Sequence, residues 1–217
     1  MRRTHRTQRR GRFGTSVIAT VTALALSSGA WLVYEGTATR PPPQPSASQA
    51  AAPGHGRAGL TAAAPLPPSP PDRIRIPAID VDAPLMGLGL THQGSLDVPP
   101  SRHKNLAGWY EAGTTPGERG TAIVAGHVDN AEGPAVFYRL GGLAKGRVIE
   151  VERRDGGVAL FTVDAVEVYD AKGFPDEKVY GAAARPELRV ITCGGAYSKE
   201  TGYQGNVVVF AHLTGAR

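Results

Sequence analysis

Val190-Ile191-Thr192-Cys193-Gly194-Gly195 contains the only cysteine in 217 residues. Leu188 to Thr192 is rich in apolar and β-branched side chains, the composition of a strand. Gly194 and Gly195 end that run abruptly. The thiol is therefore expected at the mouth of a strand, where a loop begins. A rigid element there holds a nucleophile while leaving a path for substrate. A buried, inert cysteine is the competing reading, since free cysteine is among the most buried residue types. The rest of the chain has to decide between them.

Outward from this stretch, residues 72–214 read as one folded unit of many short strands. Arg73-Ile74-Arg75-Ile76 and Ile79-Asp80-Val81-Asp82-Ala83-Pro84-Leu85 alternate polar with apolar side chains. Gly94 to Pro99 suggests a further short strand, and Ala107-Gly108-Trp109-Tyr110 an aromatic one. Thr121 to Ala125 reads as a core strand closed by Gly126 and His127. Val148 to Glu152 and Leu160 to Tyr169 are strands joined by the hairpin signal Asp155-Gly156-Gly157. Leu188 to Cys193 and Asn206 to Leu213 complete the set. Helix is confined to scraps at Phe137–Leu140 and Asp176–Tyr180. Short strands between Gly/Pro turns predict an all-β fold, a closed and mostly antiparallel β-barrel with short helices. No helical pattern of 10–15 residues separates the strands, so a parallel βαβ sheet is excluded.

The part before Asp72 has another character. Residues 1–13 carry six arginines and no acid, which outweighs the whole formal excess of +5. The basic charge is thus a tail and not the surface of the folded part, and nucleic acid is not an expected partner. Residues 14–34 are nearly uncharged and long enough to cross a bilayer as a helix. Trp31 and Tyr34 sit where interfacial aromatics sit, and the arginines would remain in the cytoplasm. Cleavage of this segment as a signal peptide is the competing reading; Thr37-Ala38-Thr39 is a poor cleavage box, and the anchor is preferred. Residues 35–71 are rich in proline and alanine, with Pro41-Pro42-Pro43 and a second cluster from Pro65 to Pro71. That composition predicts an extended linker between a membrane and an extracytoplasmic domain.

A nucleophilic cysteine needs a base or a cation beside it. Of the six histidines, His5 is in the basic tail and His55 in the linker. His92 and His103 fall in polar turns, and His212 in a strand that could simply bury its ring. His127 ends a predicted core strand, as Cys193 ends its own. If the two strands leave the barrel at the same end, the side chains converge.

The run Thr121-Ala122-Ile123-Val124-Ala125-Gly126-His127, followed much later by Ile191-Thr192-Cys193-Gly194-Gly195 and the closing strand Asn206-Val207-Val208-Val209-Phe210-Ala211, resembles a sortase. The resemblance covers about residues 73–213, and the basic tail, apolar segment and proline-rich stalk suit it. The Thr-Cys-Gly-Gly form is most similar to sortases of high-GC Gram-positive bacteria, class F or the related class E. The resemblance implies an eight-stranded barrel and a cysteine transpeptidase. Cys193 would attack a Thr–Gly type bond in the C-terminal sorting signal of an exported protein, forming a thioacyl-enzyme. His127 would protonate the leaving amine and deprotonate the incoming one, with thiolate and imidazolium together in only a minority of molecules. An amine of peptidoglycan or of another protein would accept the acyl group, and water would do so slowly. Family members carry an arginine near the start of the last strand; here the matching position is Asn206, with Gln204 two residues earlier. No arginine lies between Arg189 and Arg217, so an uncharged amide would have to serve the oxyanion.

Two other readings stay open. An L,D-transpeptidase also uses cysteine on the cell wall, but its usual Ser-x-Gly-Cys pattern is missing here. A non-enzymatic binding domain on a stalk would use Trp109, Tyr110, Tyr197 and Tyr203 for recognition. Papain-like proteases place cysteine before histidine, the reverse of this order. No motif calls for a metal, nucleotide or other cofactor; Asp80 and Asp82 lie close together but fall short of a calcium site.

Overall fold

The computed structural model describes residues 41–51 and 63–217. The tail at 1–13, the apolar segment at 14–34 and most of the linker lie outside the described residues. Among the described residues no helix is long and apolar enough to cross a membrane.

Alternation builds the barrel. In β1 (Pro71–Ile76), Ile74 and Ile76 point inward while Asp72 faces solvent. β2 (Val81–Leu88) contributes Val81 and Ala83, and β3 (Ala107–Tyr110) contributes Ala107 and Trp109. β4 (Gly120–Gly126) contributes Ala122 and Val124. A small ribbon, β5 (Asp129–Asn130) with β6 (Gly133–Pro134), follows it. β7 (Val148–Arg153), β8 (Val158–Asp170), β9 (Pro186–Ser198) and β10 (Gly202–Ala216) finish the wall. The eight longer strands close in the order β1-β2-β3-β4-β9-β10-β8-β7, with β7 returning to β1. Closure leaves no sheet edge open. Two neighbouring pairs are parallel, β2 with β3 and β4 with β9. Gly94 to Pro99 does not form the expected strand. It makes one isolated bridge, Leu90 to Leu96, because Gly94 adopts a left-handed turn (φ 81°) within it.

The interior is filled by Ile149, Val151, Phe161, Leu188, Val190, Val207, Val209 and Leu213, all at most 2% exposed. In β8 the register slips at Asp164, one extra residue that leaves both Val163 and Val166 in this core. A second, smaller core lies on the outer face of β8, β9 and β10. There α1 (Asp176–Tyr180) lays Val179 over Ala165, Ile191, Val208 and Phe210.

Two pieces with linker composition are tied to the barrel. Ala63 N–H donates to the Leu213 carbonyl (2.9 Å) and Leu66 N–H to the Gly117 carbonyl (2.8 Å). Ser69 N–H donates to Thr115 Oγ1 (3.1 Å), and the buried Arg153 guanidinium donates to the Pro67 carbonyl. Residues 42–51 also lie on the barrel. Gly195 N–H donates to Gln44 Oε1 (3.2 Å), Lys145 N–H to Gln49 Oε1 (2.8 Å), and Ala51 N–H to Glu167 Oε1 (3.0 Å).

Candidate active site

The parallel pairing of β4 with β9 sets the site. Its last paired residues are Ala125 and Ile191. One step further, Thr192 Oγ1 donates to the Gly126 carbonyl (2.8 Å) and holds the two strand ends together. His127 and Cys193 are the next residues on each chain, so they emerge side by side at one end of the barrel. On its other side Cys193 stands opposite Asn206 in β10, and Asn206 stands opposite Tyr169 in β8. Directly opposed residues share a face of a sheet. Tyr169, Asn206 and Cys193 thus form one row on the outer face, above the row Glu167, Val208 and Ile191.

Cys193 is free and exposed. Its sulfur nonetheless sits between protein walls, and burial pushes the thiol pKa up, with the Asp129 carboxylate adding to the effect. The resting form is therefore the thiol. His127 is fixed by its ring: Nε2 lies 2.6 Å from the Pro99 carbonyl oxygen. A carbonyl oxygen only accepts, so Nε2 carries the hydrogen and Nδ1 is left to exchange protons. The 99–104 loop that supplies this carbonyl is braced against the loop after β4. Asn130 Nδ2 donates to the Ser101 carbonyl (2.7 Å) and Lys104 Nζ to the Glu132 carbonyl (3.1 Å).

The Asn206 amide makes no hydrogen bond to any described residue and is free to donate toward a ligand beside Cys193. Gln204 is placed otherwise. Gly195 takes a left-handed conformation (φ 80°) and, with Ala196, opposes Gln204 alone, which is a β-bulge. Past that bulge the Gln204 amide turns into the hairpin tip, donating to Thr201 Oγ1 and to the Gly202 carbonyl (3.1 Å).

The remaining candidates lie elsewhere. His212 is buried with Nδ1 2.7 Å from Asp164 Oδ1. It pairs with Glu187, six residues along β10 from Asn206, or roughly 20 Å. His92 and His103 are exposed in turns. Asp80 and Asp82 do not face a common centre: Asp80 pairs with Arg139, and Asp82 with Arg73 and Arg75.

Three features escaped the sequence reading. Asp129, two residues past His127, receives a hydrogen bond from the Tyr203 hydroxyl (Oδ2, 2.5 Å). The Gly-His-x-Asp spacing was the available signal. The Pro99 carbonyl has no side-chain signature at all. A groove on the outer face is lined by Leu90, Leu96, Tyr110, Ile123 and Tyr180. It leads along β4, where Ile123 lies two residues before Ala125 and four before His127, toward the thiol.

Comparison with known proteins gives the context. A family model described as the sortase domain matches residues 74–214. Solved structures of the same fold include sortase A of Listeria monocytogenes, at 18% identity over 67% of this chain and 87% of that one, with TM-score 0.50. Sortase A of Corynebacterium diphtheriae aligns at 18% identity over 66% and 69%, with TM-score 0.51. The SrtA sortase of Actinomyces oris aligns at 19% identity over 74% and 88%, also at 0.51. No curated protein matches the chain. With the family model spanning most of the length and the barrel carrying its single cysteine beside a histidine, the chain belongs to the sortase family of cysteine transpeptidases.

Proposed function

We propose that this protein cleaves the C-terminal sorting signal of exported proteins at a Thr–Gly type bond and passes the acyl group to an amine. The observation that carries the reading is the side-by-side exit of His127 and Cys193 from the parallel pair β4 and β9. The peptide lies in the groove along Ile123, with an apolar side chain against Leu90, Leu96 and Tyr180. Cys193, ionised in the fraction of molecules where His127 holds the extra proton, adds to the carbonyl. The tetrahedral oxyanion takes a hydrogen bond from the Asn206 amide in place of the family arginine. His127 then protonates the leaving amine from Nδ1, its Nε2 being held by Pro99. The next amine, on peptidoglycan or another protein, gives its proton back to Nδ1 and displaces Cys193. Water does the same slowly. The Thr192-Cys193-Gly194-Gly195 form places the protein with the class F or class E sortases of high-GC Gram-positive bacteria. Residues 14–34 anchor it in the cell membrane by a single helix, with the tail 1–13 inside and the barrel extracytoplasmic.

Incubation with a library of sorting-signal peptides and a nucleophilic amine, read by intact mass, tests the reaction. The expected species is a covalent adduct on Cys193 that disappears in Cys193→Ala. His127→Ala should keep the fold and lose roughly 100- to 10,000-fold in turnover. An adduct that persists in Cys193→Ala would refute the assignment. Fractionation of cells should find the intact chain with membranes; a secreted product lacking residues 1–39 would refute the anchor.

A further inference from the structure

Beside the thiol lies a group of side chains that the acylation chemistry does not use. The bulge at Gly195 bends the β9–β10 hairpin toward the loop after β4. Tyr203 reaches that loop and donates its hydroxyl hydrogen to Asp129 Oδ2 (2.5 Å). Tyr197, opposite Tyr203 across the ladder, leans its ring on the ring of Tyr203 with centroids 5.0 Å apart. Tyr197 is 62% exposed, an unusual position for a large ring with no core to fill. Asp129 Oδ1 has no hydrogen bond, and no lysine, arginine or histidine pairs with this carboxylate, among the described residues. Asp129 is also close enough for its charge to act on the Cys193 sulfur. That is a costly neighbour for a group that must become a thiolate. A carboxylate in such a place is expected to have a cationic counterpart at another stage of the cycle.

A carboxylate flanked by two aromatic faces is the arrangement that recognises an ammonium group, by ion pairing and by attraction to the ring quadrupoles. Resting on the thioacyl reading above, we propose that Asp129, Tyr203 and Tyr197 form the subsite that holds the acceptor as a primary ammonium next to acylated Cys193. The transfer balances as follows. The bound ammonium gives one proton to His127 Nδ1 and becomes a free amine. Its nitrogen adds to the thioacyl carbon, the C–N bond forms, and the C–S bond breaks with the electron pair going to sulfur. The second proton passes from nitrogen to the Cys193 thiolate, leaving amide and thiol. Departure of the product then returns Asp129 to its Tyr203 hydrogen bond with no cation beside it.

The test isolates the second half of the reaction. The full-length protein is acetylated with p-nitrophenyl acetate, which needs no sorting signal, and the acetyl group is located by peptide mapping. Loss of acetyl is followed against glycinamide, which offers an α-ammonium, against Nα-acetyl-lysinamide, which offers a side-chain ammonium, and against hydroxylamine, which is mostly uncharged at neutral pH. In Asp129→Asn the half-saturating concentration of at least one ammonium probe should rise about tenfold, the worth of a partly exposed ion pair with a cation–π contact. Maximal rate should change far less, and hydroxylamine on the same variant should shift less than twofold. The ammonium probe that loses more identifies the source of the acceptor. Tyr197→Ala, a change at the surface, should raise the same concentration by a smaller factor and serves if Asp129→Asn folds poorly. Failure of Cys193 to take the acetyl group sinks the nucleophile and the subsite with it. An acetyl-enzyme whose response to ammonium and to hydroxylamine moves in parallel in both variants sinks the subsite alone.

Discussion

Cys193 is pulled two ways. Burial and the Asp129 carboxylate both favour the neutral thiol, while a protonated His127 at the adjoining strand end favours the thiolate. Removing the carboxylate charge takes away one of the two effects that raise the pKa. Asp129→Asn should therefore move the pH midpoint of iodoacetamide labelling downward, so that labelling at neutral pH becomes faster; an unchanged or higher midpoint would contradict the electrostatic account. Asn206 can be examined separately, because it donates to the oxyanion and takes no part in ionising the thiol. Asn206→Ala should slow acylation roughly 100- to 1000-fold, about 3–4 kcal/mol, with iodoacetamide labelling nearly unaltered. Equal acylation in the variant would transfer the role to a backbone N–H. At this scale the sequence reveals what strands carry to their ends: Cys193 and His127 are visible because each follows a run of apolar residues. Asp129, Pro99 and Tyr203 are not, since loops and a bulge bring them in, and loop geometry leaves no periodic trace.

Among the elements, β8, β9 and β10 hold the reactive row, and their spacing leaves no slack. A Cβ on Gly205 would stand 2.1 Å from the Tyr169 carbonyl oxygen across the β8–β10 ladder. Gly205→Ala must then push apart two strands that flank Asn206. A loss of about 1–3 kcal/mol in urea denaturation is expected, together with slower acylation, because the displaced residue adjoins Asn206. Wild-type stability in this variant would mean that the ladder yields more easily than its hydrogen bonding suggests. Strict alternation in β1 and β7 made the barrel legible from the chain alone. Composition misleads where proline is dense. Proline lacks an N–H but keeps its carbonyl, so the stretch around Pro67 can still accept the Arg153 hydrogen bond while reading as a free linker. Gly94 to Pro99 fails as a strand for a similar local reason, the left-handed turn at Gly94.

The molecule as a whole is larger than its strands. Residues 63–70 close over β7, β10 and the loop before β4, so a chain beginning at Asp72 lacks part of its own wall. Compared with one beginning at Ala63, it leaves the Arg153 side chain, only 1% exposed, without its carbonyl acceptor. Its unfolding free energy should be lower by about 1–3 kcal/mol; identical denaturation midpoints would place residues 63–70 outside the cooperative unit. The bond from Thr192 to Gly126 has a consequence of another kind. It joins positions 66 residues apart in sequence, and no parallel pair can form by a local hairpin. The seam between β4 and β9 must wait for a large loop to close, which makes barrel formation slow relative to proteins built from local contacts. Throughout that wait the lone thiol has no partner within its own chain and is open to a second chain. Refolding without reductant should therefore yield covalent dimers in proportion to chain concentration, while the finished protein, its sulfur set between protein walls, stays monomeric under the same oxidant.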